Sequence, residues 1–360
     1  VQAWASRARG NQVYRLYAVS NAGSLVGLLA YPFALEPTTT LRVQGWLWAT
    51  GFVAWGVGLA LAARGVSGEA TARARVETKG PWLRWLALSA APVVLLLAVT
   101  NHLTQEVAPI PFLWVLPLVA YLVSFIVTFE STRWYRRGWA LPALAATSLI
   151  VAGLRSVEQD LPLPLRVALF LTFLLVACIT AHGELAASRP PAESLTAFYA
   201  VLALGGALGG VFVGLVAPAV FSGFVELELG LVFLLGALAV TTRGSRTAAL
   251  LWLLGVAVGA LLVMGLKAQR EGVLAARRDF FGVVRVVLSG DGDDEAHLLM
   301  HGRTVHGAQQ LQHREAPTTY YAPESGVGQL LSKERAAPRK VGVIGLGIGT
   351  LAAYSRPGDT

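Results

Sequence analysis

The chain has 360 residues, of which 55% are hydrophobic and only 14% charged, with a formal net charge of +8 and a mean hydropathy of +0.58. Soluble domains carry roughly one quarter charged residues, so this composition excludes an ordinary soluble protein and points to long apolar blocks in a lipid bilayer. The positive balance does not mark a nucleic-acid partner, because Lys and Arg sit in short loops between apolar blocks and not on one basic face with interleaved aromatics.

Spans of about 20 apolar residues number nine before Lys267: Tyr14–Leu35, Leu41–Ala63, Trp82–Thr100, Ile110–Phe129, Trp139–Leu154, Leu163–Ala181, Leu195–Val220, Leu227–Thr241 and Ala248–Leu266. Trp139–Leu154 and Leu227–Thr241 are short for full spans. Trp82, Trp85, Trp134, Tyr135 and Trp139 cluster at span edges, where amphipathic rings sit at headgroup level. The single cysteine, Cys178, lies inside an apolar run and excludes an internal disulfide. No signal peptide is read at Val1, and both ends read as cuts in a longer reading frame.

Alternate connections are basic. With an N-terminal arm carrying Arg7, Arg9 and Arg15 inside, the inner loops hold Arg64, Arg73, Arg75, Lys79 and Arg84, then Arg133, Arg136 and Arg137, then Arg189, then Arg243 and Arg246. The other set has Arg42, Arg155 and Arg166 against Glu106, Glu158, Asp160, Glu226 and Glu228. That asymmetry orients the bundle. An odd number of spans then puts everything after Leu266 outside, whereas Lys267, Arg270, Arg277 and Arg278 argue for inside. Either a short segment is re-entrant or the soluble part is extracytoplasmic.

Inside the bundle, LGGALGGVFVG places Gly205 and Gly209, Gly206 and Gly210, and Gly210 and Gly214 four residues apart, a spacing for close helix packing. Two polar clusters, His102 with Glu106 and His182 with Glu184, have two readings. Ionisable groups at membrane depth are costly and often functional, and His with Glu relays a proton or holds a cation. Both clusters also fall at predicted span ends, where water is available and an interfacial role suffices.

Past Glu271 the pattern becomes that of short strands. Phe281–Leu288 is β-branched, a Gly/Asp turn follows, and further strands are expected around His297–Met300 and Thr304–His306, making a hairpin or small antiparallel sheet. A Pro- and Gly-bounded loop with Tyr320 and Tyr321 leads into a short helix at Gly328–Lys333. Then KVGVIGLGIGT reads as a buried strand, Lys340–Ile344, a turn, and a helix starting over Thr350–Tyr354. Gly345, Gly347 and Gly349 form G-x-G-x-G, with Thr350 where a dinucleotide fingerprint would need its third glycine, and no P-loop Gly-Lys is present. Such a turn lets backbone approach an S-adenosyl nucleotide rather than a pyrophosphate.

HGRTVHGAQ, PTTYYAPESGVG and VGVIGLGIGTLAAYSRPGD, together with SNAGSLVGLLAYP, NHLTQEVAPIPFLWVLPL and AHGELA in the membrane part, resemble bacterial proteins that fuse a major-facilitator-like membrane domain to a spermidine synthase. The resemblance covers nearly the whole chain. It implies a multi-pass protein of the bacterial cytoplasmic membrane in three parts: a transmembrane helical domain over 1–266, a β-hairpin subdomain over 271–335, and the start of a Rossmann-like nucleotide-binding domain over 336–360.

Residue by residue, the resemblance matches Gln309 to the glutamine that contacts the amino-acid part of the nucleotide, and Gly345, Gly347 and Gly349 to the nucleotide loop. Tyr320 and Tyr321 stand for the family's Tyr-His-Glu substrate element, with His and Glu lost. The Asp of the family's Leu-Asp-Gly-x-x-Gln element is replaced, with His301-Gly302 or His306-Gly307 in its place. The implied co-substrate is S-adenosylmethionine or its decarboxylated form, and the implied partners are a small-molecule amine and the bilayer, with self-association into a homo-oligomer compatible. The catalytic residues are expected beyond Thr360, and no metal is expected. The competing readings are a polyamine-type transporter with the soluble part as sensor, and a non-catalytic scaffold with a degenerate nucleotide domain.

Overall fold

The structure, a computed structural model, describes residues 13–64, 80–107, 110, 112–156, 161–191, 194–242, 244–268, 271–279, 281–334 and 337–360. Arg7, Arg9, Arg73, Arg75, Lys79, Glu158, Asp160, Arg243 and Arg270 lie outside the described residues.

All nine apolar stretches are helical. In chain order they are α1 (Val13–Ala30), α2 (Leu41–Arg64), α3 (Trp82–Asn101), α4 (Val115–Glu130), α5 (Arg137–Ser156), α6 (Leu163–Ala187), α7 (Leu195–Val211), α8 (Glu226–Thr241) and α9 (Arg246–Ala268). Seven are long and apolar enough to cross a membrane, counting the π-helical turns that extend α1, α3 and α7. The sequence reading needs two corrections here. The Trp139–Leu154 stretch, short on paper, belongs to a 20-residue helix because Arg137, Gly138, Arg155 and Ser156 join it. The Ile110–Phe129 stretch yields a helix only from Val115, 16 residues long, because 112–114 form a turn in which Phe112 has φ +65°. At 1.5 Å per residue that helix and the equally short α8 rise only about 24 Å, less than a typical hydrocarbon core.

The bundle is built around α3 and α6. Trp85, Leu88, Leu95 and Val99 of α3 and Phe173, Leu174, Ala177 and Cys178 of α6 are fully or almost fully buried. Helix α7 approaches α3 through Gly205 and Gly209, where a β-carbon on Gly209 would lie 2.8 Å from the Ala90 carbonyl oxygen. Gly210 and Gly214 face open space, so of the three glycine pairs only the first packs both members against another helix. Helix α2 buries no residue and exposes Trp46, Trp48, Phe52 and Trp55, the surface of a helix whose surroundings are lipid.

Side-chain pairings sort the helix ends into two groups. The starts of α3 and α5 meet the end of α6 through Arg84, Arg137 and Glu184, and the ends of α3 and α5 meet the start of α8 through His102, Arg155 and Glu228. The first group includes the basic connections and is called the arginine end. The second carries the extramembranous sheet and is called the sheet end.

The sheet is a four-stranded antiparallel meander in the order β1 (Val273–Asp279), β2 (Gly282–Ser289), β3 (Ala296–His301) and β4 (Thr304–Gln310). Its register places Val287 opposite Leu298 and Leu299 opposite Gly307. The last three strands fall where the sequence places them, β2 on the β-branched run and β3 and β4 over the two short stretches after the Gly/Asp turn. Strand β1 did not stand out, because Ala275-Ala276-Arg277-Arg278 has little β character and is held by its pairing with β2. The short helix α10 spans Gly326–Ser332, capped by Ser325, whose Oγ accepts from Gly328 N at 3.0 Å.

Lys340–Ile344, expected as a buried strand, is not one. Val343 is half exposed and Ile344 fully exposed, and among the described residues the segment's backbone is tied at Val341, whose N donates to Thr360 O, while Thr360 N donates to the preceding Arg339 O. A strand needs a neighbour for its hydrogen bonds, and no described strand lies beside this one. The helix expected from Thr350 is a 3-10 turn, Thr350–Tyr354. The described residues therefore contain the glycine turn without the sheet that would make it Rossmann-like.

Candidate functional site

The glycine turn has the backbone its composition requires. Gly345, Gly347 and Gly349 have φ of +88°, +55° and +77°, the left-handed region in which a side chain is strained. Ile348, between the last two, seats on β4. A β-carbon at Gly307 would come within 2.6 Å of its side chain, so a bare glycine on the strand admits it.

Between this turn and the sheet opens a cleft of about 640 Å³. Its polar wall includes Gln309, His297, Arg314, Glu315, Thr350 and Ser355 with the backbone of Gly349, over an apolar floor that includes Leu299 and Ile348. Gln309 and Gly349 are thus brought to one site, whereas Gly345 and Gly347 shape the turn without lining it. Gln309 Nε2 donates to the Arg314 carbonyl at 3.4 Å, which holds the 311–316 loop beside the cleft and leaves the amide oxygen of Gln309 as an acceptor. The Thr350 hydroxyl is buried with no hydrogen-bond partner among the described residues. Arg314, Glu315 and His297 were not singled out as site residues from the sequence, where a charged pair in a loop looks like any solvated turn, and Thr350 was read only as the departure from a dinucleotide fingerprint.

Tyr320 and Tyr321 do not line the cleft. The Tyr320 hydroxyl donates to the His306 carbonyl at 2.8 Å, the two rings lie 4.5 Å apart, and the Tyr321 carbonyl accepts from the Tyr354 hydroxyl at 2.6 Å. The pair fastens its loop to β4 and to the 3-10 turn.

Glu184 and His182 are buried, not water-exposed as a place at a span end would suggest. Glu184 is 1% exposed, and Arg84 Nη2 donates to its Oε2 at 2.6 Å. Arg137 binds it bidentately, Nε to Oε1 at 2.5 Å and Nη2 to Oε2 at 2.7 Å, and the Tyr135 hydroxyl donates to Oε1 at 2.5 Å. Burial, and then the carboxylate beside it, pushes the Tyr135 phenol far above its ordinary range, which keeps the proton on the donor. His182, two residues away, is fully buried but faces elsewhere. Its Nδ1 lies 2.8 Å from Ser124 Oγ, and its ring packs on Phe125 and Tyr121. The two residues read as one cluster in AHGE are two separate sites.

At the sheet end His102 Nδ1 lies 3.1 Å from Arg155 Nη1, and Arg155 also donates to Glu228 Oε1 at 2.9 Å and to the Phe224 carbonyl at 2.9 Å. The side chain of Glu106 lies outside the described residues. Arg278, counted in the sequence as a topology signal, reaches from β1 into the bundle. It pairs with Glu226, donates to the Gly223 carbonyl at 2.7 Å and lies over the Phe224 ring at 4.5 Å. Its charge is matched there and does not count toward orientation. None of these arginine partners was legible, since they join residues 47 to 100 positions apart. Among the described residues no group of three His, Cys, Asp or Glu is placed to hold a metal.

These features define a class: a multi-pass membrane protein with an extramembranous antiparallel sheet and a glycine-turn cleft. The chain matches no family model, no curated protein and no solved structure, so the resemblance to membrane-fused spermidine synthases stands on the motifs quoted above.

Proposed function

We propose that the protein is a membrane-bound transferase of spermidine synthase type that binds an S-adenosyl nucleotide in the cleft beside Gln309 and moves an alkyl group from it to an amine. The observation that carries this reading is that Gln309 and Gly349, far apart on the chain and matched separately to the family's nucleotide contacts, wall one cleft. In the reaction the amine nitrogen attacks the carbon next to the sulfonium, the carbon–sulfur bond breaks with its electron pair going to sulfur, and the nitrogen gives up a proton. The protein's task is to orient the two and to accept that proton; the resemblance puts the accepting aspartate beyond Thr360. Calorimetric titration of the full-length protein in detergent with S-adenosylmethionine and its decarboxylated form tests this. The expected result is saturable binding that Gln309→Ala weakens about tenfold, the worth of one hydrogen bond near 1.4 kcal/mol. Absence of binding to either nucleotide sinks it.

A second reading, a polyamine-type transporter whose soluble part is a sensor, has its own supporting observation. The sheet sits at the end opposite the arginine-rich connections, which the positive-inside rule makes the non-cytoplasmic face. S-adenosyl nucleotides are cytosolic metabolites, so a domain there would read a solute rather than use that donor. The polar residues first considered for transport give this reading little help, because the charge of Glu184 is already met by two guanidinium groups. A compartment-specific reporter fused after Thr360 separates the two: activity only outside the cytoplasm favours the sensor, activity only inside the transferase.

A further inference from the structure

We infer that the cleft beside Gln309 recognises the zwitterionic α-amino-acid group of its ligand, so that the nucleotide it takes is the carboxylate-bearing S-adenosylmethionine and not the decarboxylated form. The inference rests on the proposed reading for the presence of a ligand in this cleft, and adds which ligand it is.

Its basis is the charge of the wall. Arg314 and Glu315 put one guanidinium and one carboxylate side by side on the loop that Gln309 holds through the Arg314 carbonyl. A guanidinium presents the fork that fits a carboxylate, and the adjacent carboxylate, with the free amide oxygen of Gln309, accepts from an ammonium. A decarboxylated donor keeps the ammonium that Glu315 and Gln309 accept but has no carboxylate for the Arg314 fork, so one half of the recognition is lost. A polyamine is served no better, because Glu315 is the one carboxylate among the lining residues, which also include Arg314 and His297.

With this donor the group transferred would carry its amino and carboxylate functions along. The amine nitrogen bonds to the terminal carbon of the side chain, the carbon–sulfur bond breaks toward sulfur, 5′-methylthioadenosine leaves, and one proton is released from the nitrogen.

The same α-amino-acid chemistry could be offered by a free amino acid, so the experiment titrates the full-length protein with four probes: S-adenosylmethionine, its decarboxylated form, methionine and 5′-methylthioadenosine. S-adenosylmethionine is expected to bind at least tenfold tighter than the decarboxylated form. Arg314→Gln, a change on an exposed loop, should erase that gap while leaving 5′-methylthioadenosine binding unchanged. Methionine binding that Arg314→Gln abolishes, with 5′-methylthioadenosine silent, would keep the amino-acid recognition and assign it to a free amino acid. Equal or tighter binding of the decarboxylated nucleotide overturns the inference and leaves the transferase reading standing. If none of the four probes binds, the reading itself fails and the inference with it.

Discussion

The two ends of the helix bundle both bury carboxylates, and they match them differently. At the arginine end Glu184 is met by Arg84, Arg137 and the Tyr135 hydroxyl, all from within the bundle, leaving net positive charge with Arg84 28% and Arg137 49% exposed. At the sheet end Glu228 and Glu226 are each paired with an arginine among the described residues, and both pairs are drier: Arg155 with Glu228 at 9% and 10%, Arg278 with Glu226 at 2% and 1%. One of those arginines is supplied by the sheet. The arginine end closes on itself and faces a charged surface, whereas the sheet end stays incomplete until the extramembranous part docks.

The comparison breaks most decisively on topology. Compartment reporters placed after Arg189 and after Thr360 should give opposite signals, all or none, because the two positions belong to opposite ends. Equal signals would mean that the chain does not cross as the pairings require.

Next in size is the docking pair. Arg278→Ala leaves Glu226 buried and unmatched, a loss of about 3–5 kcal/mol. Limited proteolysis between α9 and β1 should speed up by orders of magnitude, while the double change Arg278→Met with Glu226→Leu should restore most of the resistance, since a dry apolar pair can replace an ionic one. Restoration failing would assign Arg278 to something other than docking.

Glu184→Gln should cost less, about 2 kcal/mol, because water can still reach its two arginines. The thermal midpoint in detergent measures it, and a loss as large as that of Arg278→Ala would erase the distinction between the ends. Between the ends, Gly209→Ala should destabilise by about 1–3 kcal/mol through contact with Ala90, and Gly210→Ala should be neutral or stabilising.

The smallest effect concerns Tyr135. Its folded pKa is raised above the unfolded value near 10, so its contribution is fully present below that pH and is lost as pH rises above it. Stability followed from pH 9 to 11 should fall, and Tyr135→Phe, costing about 1 kcal/mol at neutral pH, should flatten that fall. A profile unchanged by the substitution would show that the drop has another source.

Much of the fold was legible because its cause is local. Apolar stretches of helical length had to be helices in a medium without water, and the β-branched run at 281–288 and the two short stretches within 297–306 were read as strands that pair. The glycine turn was equally plain, since three glycines at alternate positions are what three left-handed φ angles require. Where reading failed, the missing term was a partner. Lys340–Ile344 has the pattern of a strand and finds no strand beside it, and Ala275–Arg278 has no such pattern and becomes one because β2 is there. His102 and Glu184 read as members of His–Glu pairs until the arginines beside them came into view, Arg155 at His102 and Arg84 with Arg137 at Glu184.

By itself the sequence determined the medium, the number of apolar segments, the uneven distribution of positive charge and the glycine turn, all properties of stretches shorter than about 25 residues. Only the tertiary structure decided that Arg278 enters the bundle, that Glu184 and His182 belong to different sites, and that Gln309, Arg314 and Thr350 share a wall. Those are matters of which distant charges and dipoles must meet once water is excluded, and periodicity along a chain carries no record of them.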